Sequence, residues 1–177
     1  MKKITISLVC TAIILSFCYQ TSFSQDDKHK DSELLKAARE IIADAGPCAL
    51  ITLNEEGSPR ARAMDPFPPE KDFTIWFGTN KNSRKVKQIK MDPRVNLYYM
   101  ENDNSSYVTI FGKAELVDDP ELKEKYWKDQ WNAFYDENKE NYLLIKVTPD
   151  WLEVSSAKRG LNGDSVSWKP PGINFRK

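Results

Sequence analysis

Thr79, Asn80, Ser83, Arg84 and Lys85 bring hydroxyl, amide and cationic groups together directly after a short apolar run. In that run Phe73, Ile75 and Phe77 alternate with Thr74 and Trp76 as in a strand, and Gly78 loosens the backbone where the chain leaves it. Ser83 stands where a helix N-cap would. The free N–H groups of the first helical turn, the positive end of its dipole and two cationic side chains would then converge on one small volume. A phosphate ester suits such a place: Arg84 can grip two oxygens in a fork, while Lys85 supplies a point charge. The same residues also fit a capped surface helix with a solvated basic face, since six Lys/Arg between Thr79 and Arg94 oppose only Asp92.

Other chemistries are poorly supplied. The only histidine, His29, lies in a polar stretch, which argues against a His-based triad, a multi-His zinc site or a proximal-His haem in the core. No carboxylate spacing stands out as a general acid/base pair. Met1 to Ser24 reads as an export signal: Lys2 and Lys3, an apolar run from Ile4 to Tyr19, then small Ser22 and Ser24. An uncleaved anchor is the alternative. Bulky Phe17 before Cys18 argues against lipidation. Removing these 24 residues from 177 leaves 153, enough for one domain with a sizeable core. The 26 basic residues lose Lys2 and Lys3 and the 26 acidic residues lose none, giving net −2. That balance disfavours a general polyanion or nucleic-acid binder. Cys10 and Cys18 go with the signal, so Cys48 has no disulfide partner; within Cys48-Ala49-Leu50-Ile51 it reads as a buried small hydrophobe.

The elements that must position the basic run are legible from periodicity. Residues 25–31 read as a polar tail. Ser32 is the expected cap of a helix with Leu34, Leu35, Ala38, Ile41 and Ile42 on one face, stopped by Gly46-Pro47. Strands are expected at Cys48 to Leu53 and Pro59 to Asp65 around the Asn54-Glu55-Glu56-Gly57 loop. A Pro-rich loop from Pro66 to Asp72 leads into the strand at Phe73. Further strands follow at Val95 to Met100 and Tyr107 to Val117, a helix starts at Asp119-Pro120-Glu121, and two more strands flank Thr148-Pro149-Asp150. Trp127, Trp131, Phe134 and Tyr135 keep approximate helical spacing and read as core or interface. Residues 158–177 read as an irregular tail. The fold expected is mainly β with flanking helices, consecutive strands pairing antiparallel into a closed or split barrel.

Arg60-Ala61-Arg62-Ala63-Met64, then Trp76-Phe77-Gly78-Thr79-Asn80, Ser83-Arg84-Lys85, Tyr98-Tyr99 and Tyr107 to Gly112 together resemble the pyridoxamine 5′-phosphate oxidase-like split-barrel family, and within it the general stress protein subfamily. The similarity runs from about Ser32 to Val154. The resemblance implies an antiparallel six-stranded split β-barrel over residues 32–157, a homodimer, and FMN held between subunits. Carried over by position, Arg62 with Ala63, Met64 and Asp65 matches the strand along the flavin, with Arg60 on the same strand face as a second candidate. Gly78 and Thr79 match the pair beside the cofactor, and Ser83, Arg84 and Lys85 the phosphate ligands. Tyr107 falls where the oxidases place a Gln near the ring; an ordinary strand aromatic is the alternative there.

The departures bear on the reaction. The oxidases carry a basic residue shortly after the first Arg and an Arg-rich C-terminus, both serving the substrate phosphate; here Phe67-Pro68 and a GDSVSWKPPGINFRK ending stand instead. The expectation is therefore an exported FMN flavoprotein, an oxidoreductase on an unidentified small substrate rather than a pyridoxamine phosphate oxidase. A non-catalytic flavin-binding stress protein, or a split barrel for another phosphorylated cofactor, is the alternative. For Trp168 and Lys169 the choices are a loose tail or a cover over the site of the other subunit.

Overall fold

The computed structural model describes residues 29–135 and 139–176. The expected export signal lies outside the described residues. By its internal contacts the chain divides into a unit ending at Lys36 and one from Ala37 to Lys177; of the first, only residues 29–36 are described, as the opening turns of a helix. That helix, α1, runs over residues 29–45, starting before the Ser32 cap that the sequence suggests. His29, Lys30 and Asp31 contain nothing that breaks a helix, and an acid near a helix start is favoured by the dipole, so the end of the expected polar tail is helical. Ala38, Ile41 and Ile42 are buried, and Gly46, at φ +63°, closes the helix with its N–H on the Ile42 carbonyl, 3.2 Å.

The strands are β1 Cys48–Leu53, β2 Pro59–Met64, β3 Ile75–Asn80, β4 Arg94–Met100, β5 Ser106–Val117, β6 Tyr142–Ser156 and β7 Gly172–Asn174, with helices α2 Arg84–Met91 and α3 Pro120–Lys125. They form one antiparallel sheet in the order β2-β1-β4-β5-β6-β3, with β7 added to β6. Its two edge strands do not pair along their length. They approach through one bridge, Pro66 opposite Phe77, where the Phe67 N–H donates to the Trp76 carbonyl at 2.8 Å. The expected split barrel is thus present, with its gap between β2 and β3.

Alternation decides the inner face. Leu50, Leu97, Ile110, Leu152, Ile75, Phe77 and Ile145 are fully buried, and Val86 and Ile89 of α2 are buried as well. Each such side chain removed from water contributes about 1.5–3 kcal/mol.

Three expectations need correction. The two strands drawn around Thr148-Pro149-Asp150 are one strand, β6, bulged where its register against β5 shifts between Phe111 and Gly112. A bulge accommodates a proline that cannot donate to the ladder, and Gly112 is required opposite it because a Cβ would strike the Thr148 carbonyl oxygen. The strand expected from Phe73 starts at Ile75, because Phe73 sits in a turn at φ +63° with its N–H on the Glu70 carbonyl, 3.0 Å. The tail expected to be irregular docks. Since β3 pairs with β6 only as far as Val147, the edge of β6 at Trp151–Glu153 would be bare, and β7 covers it. Phe175 then packs 5.9 Å from Phe73.

Candidate anion site

Arg62 lies on β2 directly opposite Leu50 of β1, and so points to the inner face beside the gap. Its Nη1 donates to the Leu50 carbonyl (3.1 Å) and Thr52 Oγ1 (2.8 Å), and its Nη2 to Gln88 Oε1 (2.9 Å). Thr52 Oγ1 itself donates to Gln88 Oε1 at 2.6 Å. Lys85, one turn before Gln88 on α2, donates from Nζ to Thr79 Oγ1 at 3.0 Å, and the Thr79 and Ser83 hydroxyls are 3.4 Å apart. Every acceptor is neutral. Among the described residues no carboxylate comes within ion-pair distance of Arg62, Arg84 or Lys85.

The electrostatic consequence is repulsion. Burial, and then the charge of Arg84, lower the Arg62 guanidinium's affinity for its proton; burial, and then the charge of Arg62, do the same to the Lys85 ammonium. Ser83 has the extended backbone of an N-cap, yet its hydroxyl makes no capping bond, and the first turn of α2 holds no acid. The start of α2 therefore offers first-turn N–H groups with no acid beside them, next to Arg62, which is repelled by Arg84 and itself repels Lys85, an arrangement that an anion would relieve. Next to it, a recess of about 160 Å³ is lined by Asn54, Glu55, Arg84, Lys87 and Gln88 among others.

The sequence profile of the family described as "Pyridoxamine 5'-phosphate oxidase like" matches residues 33–162. The chain belongs to this family. Among its relatives, General stress protein 26 of Bacillus subtilis (strain 168) is 27% identical over 107 residues, 58% of this chain and 75% of that protein. The structure of General Stress Protein 26 from Bacillus anthracis superposes with a TM-score of 0.63 at 22% identity, covering 79% of this chain and 97% of that one. A general stress protein 26-related structure from Clostridium acetobutylicum, described as of the pyridoxinephosphate oxidase family, gives 0.66 at 19%, covering 81% and 95%. At these identities the two structures speak for the fold.

Within this family member, Lys85, Thr79 and Ser83 are hydrogen-bonded or adjacent at the start of α2, with Arg62 near enough to feel the charge of exposed Arg84 and to act on Lys85. Arg60, opposite Thr52, shares their face at the exposed end of β2, and half-buried Met64 shares it opposite Cys48. The other expected residues stand apart. Ala63, opposite Ala49, faces outward. Asp65 is turned away to Lys128 (2.7 Å) and Gln130 (3.4 Å). Gly78 faces outward too, where a Cβ would come within 2.5 Å of the Trp131 ring and 2.6 Å of that of Tyr142; its missing side chain makes room for aromatics. Tyr107 lies between inward Ser106 and Val108, so it points outward, its ring 5.4 Å from that of Tyr98. It is three strands from Arg62, about 14 Å of sheet, on the opposite face.

Trp127, Trp131 and Tyr135 pack with Tyr142 and Trp76 on the outer side of β3 and β6, as the core reading expects, while Phe134 is 81% exposed. Thr52 and Gln88 went unnoticed in the sequence. A signal existed for both: Thr52 is the one hydroxyl in the inward series Cys48, Leu50, Thr52, and Gln88 follows Arg84 and Lys85 at helical spacing.

Proposed function

We propose that the protein is an exported FMN-binding flavoprotein that acts as an oxidoreductase on a small substrate other than pyridoxamine phosphate. One observation carries the reading: Arg62 and Lys85 stand beside a helix start bonded to neutral acceptors only, with the charge of Arg84 close enough to act on Arg62, which is the donor chemistry a phosphate ester needs. Arg62 and Lys85 would hold that phosphate, with Ser83 and the first-turn N–H groups of α2. Bound flavin supplies hydride and single-electron transfer, so the scarcity of acid/base pairs is no obstacle. β2 is an edge strand, and the backbone groups on its open side are left outside the ladder for hydrogen bonds to a ring.

The phosphate of a pyridoxamine substrate finds less support. Phe67, at the place of the oxidases' second cation, is committed to edge contacts with Tyr126 and Trp131 at 5.1 and 5.8 Å. The reading includes a homodimer, because a single copy presents Arg62 and Tyr107 to opposite sides of its sheet. The sequence pattern of Met1 to Ser24 supports export; among the described residues no helix is long and apolar enough to cross a membrane.

The test is the visible spectrum of the purified protein with mass spectrometry of any released ligand, followed by anaerobic addition of NAD(P)H. Flavin bands that bleach at a useful rate are the expected result. A colourless protein that takes up no added FMN overturns the cofactor assignment, and bound flavin that resists reduction overturns the enzymatic part in favour of a flavin carrier.

A further inference from the structure

Gln88 occupies a position where a carboxylate would pair with Arg62 and quench its charge. Its Oε1 accepts from Arg62 Nη2 and from Thr52 Oγ1 together, and its residue is 9% exposed. Because Arg62 and the Thr52 hydroxyl both present hydrogens to it, the amide must offer its oxygen, which leaves its N–H₂ group directed elsewhere. A Glu at this position would have the same shape and an ion pair with Arg62. The chain holds 26 acidic residues and places none there. Glu55 and Glu56 both line the adjoining recess, yet among the described residues neither makes an ion pair with the cations.

The fork geometry shows what the neutral acceptor achieves. Thr52 and Gln88 are hydrogen-bonded to each other and take neighbouring hydrogens of Nη1 and Nη2, so they occupy the end of the guanidinium. The Leu50 carbonyl takes the remaining Nη1 hydrogen. What is left without an acceptor among the described residues is the parallel Nε–H and Nη2–H edge, the edge that takes a phosphate or carboxylate through two bonds.

We propose that Gln88 is a positioning residue of the anion site: by holding the end of the Arg62 guanidinium with an uncharged oxygen, it aims the free edge at a phosphate ester and leaves the positive charge undiminished. This inference rests on the anion-site reading above and adds the residue that tunes it. Gln88 does not touch the ligand; it acts through Arg62.

Gln88→Glu separates positioning from mere structural support, since the ion pair it creates with Arg62 should stabilise the fold while quenching the site. Thermal melting, calorimetric titration with inorganic phosphate and NMR titration of the Lys85 amine are measured on wild type, Gln88→Glu and Gln88→Met. The expected result for Gln88→Glu is a Tm equal to or above wild type, a Lys85 amine that holds its proton to higher pH, and phosphate affinity at least tenfold weaker. Gln88→Met keeps the charge but releases the fork, and an intermediate loss of about threefold is expected with Lys85 unmoved. Wild-type phosphate binding retained within twofold in Gln88→Glu overturns the role of Gln88 alone. A wild type that takes up no phosphate overturns the anion site itself, and this proposal with it.

Discussion

Lys85 is held in the fold at a cost. Its ammonium is partly desolvated and faces Arg62, so the folded state binds its proton more weakly than the unfolded chain, where the ordinary value is 10.5. The sign follows from linkage. The penalty is full well below the folded value and is relieved as pH rises through it towards 10.5. Lys85→Met is therefore expected to raise the Tm of the flavin-free protein at neutral pH, the difference shrinking in alkali, while weakening flavin binding; a lower Tm at pH 7 would contradict the repulsion. Arg62→Ala and Lys85→Ala should each weaken FMN binding by about 1.5–3 kcal/mol, the range for hydrogen bonds to charged groups, read by fluorescence quenching on titration. Unchanged flavin retention in both purified variants would refute the grip. Arg62→Lys should behave like the alanine variant, because a point charge cannot serve Leu50, Thr52 and Gln88 and still present a two-toothed edge.

At the scale of elements, two junctions matter. The chain after α3 lays Trp131 on Gly78 of β3, and Lys128 fastens the same segment to Asp65 just beyond β2. Gly78→Ala must push ring atoms aside and is expected to cost about 1–3 kcal/mol. A double-mutant cycle with Trp131→Ala should show positive coupling in urea melts, and strict additivity would mean the ring yields freely. The second junction joins the β4–β5 turn to the end of β6. Glu101, 5% exposed, receives Arg159 Nη2 on Oε1 at 3.0 Å and Lys158 Nζ on Oε2 at 2.7 Å. Those bonds, Arg159's first, lower the Glu101 carboxyl to about 2 from the ordinary 4.5. Its contribution is thus complete above 4.5 and is lost as pH falls from there towards 2. Glu101→Gln should flatten the acid limb of the stability curve across that window; Glu101→Ala, which strips Arg159 of its main partner, should cost about 3 kcal/mol at pH 7 by denaturant titration.

For the whole molecule the decisive relation is between sheet faces. The inner face at the gap carries the cations, and the outer face of β4 and β5 carries Tyr98, Tyr107 and 38%-exposed Met100. If flavin needs both, two copies must meet. Tyr107→Asp, which replaces a half-buried ring packed beside Tyr98 and touches neither Arg62 nor Lys85, is expected to halve the particle mass in sedimentation and to lower flavin occupancy with it, while the Tm checks that the chain still folds. A dimer that persists with full flavin would remove Tyr107 from the assembly.

Much of this was readable along the chain because its causes are local. Alternation marked the strands, Gly46 and Gly57 marked the turns, and hydroxyl and basic residues packed between Thr79 and Lys85 marked the candidate anion site, since a helix start concentrates charge within a few residues. What the chain could not disclose depends on which groups meet across the sheet. Whether Gly78 faces ligand or tryptophan, whether Asp65 joins the cations or leaves them for Lys128, and that Thr52 and Gln88 hold Arg62 from 10 and 26 residues away are settled by register and barrel curvature. Those arise only once the strands have paired around the apolar inner face, for a one-residue shift in pairing would turn each of these side chains to the other side.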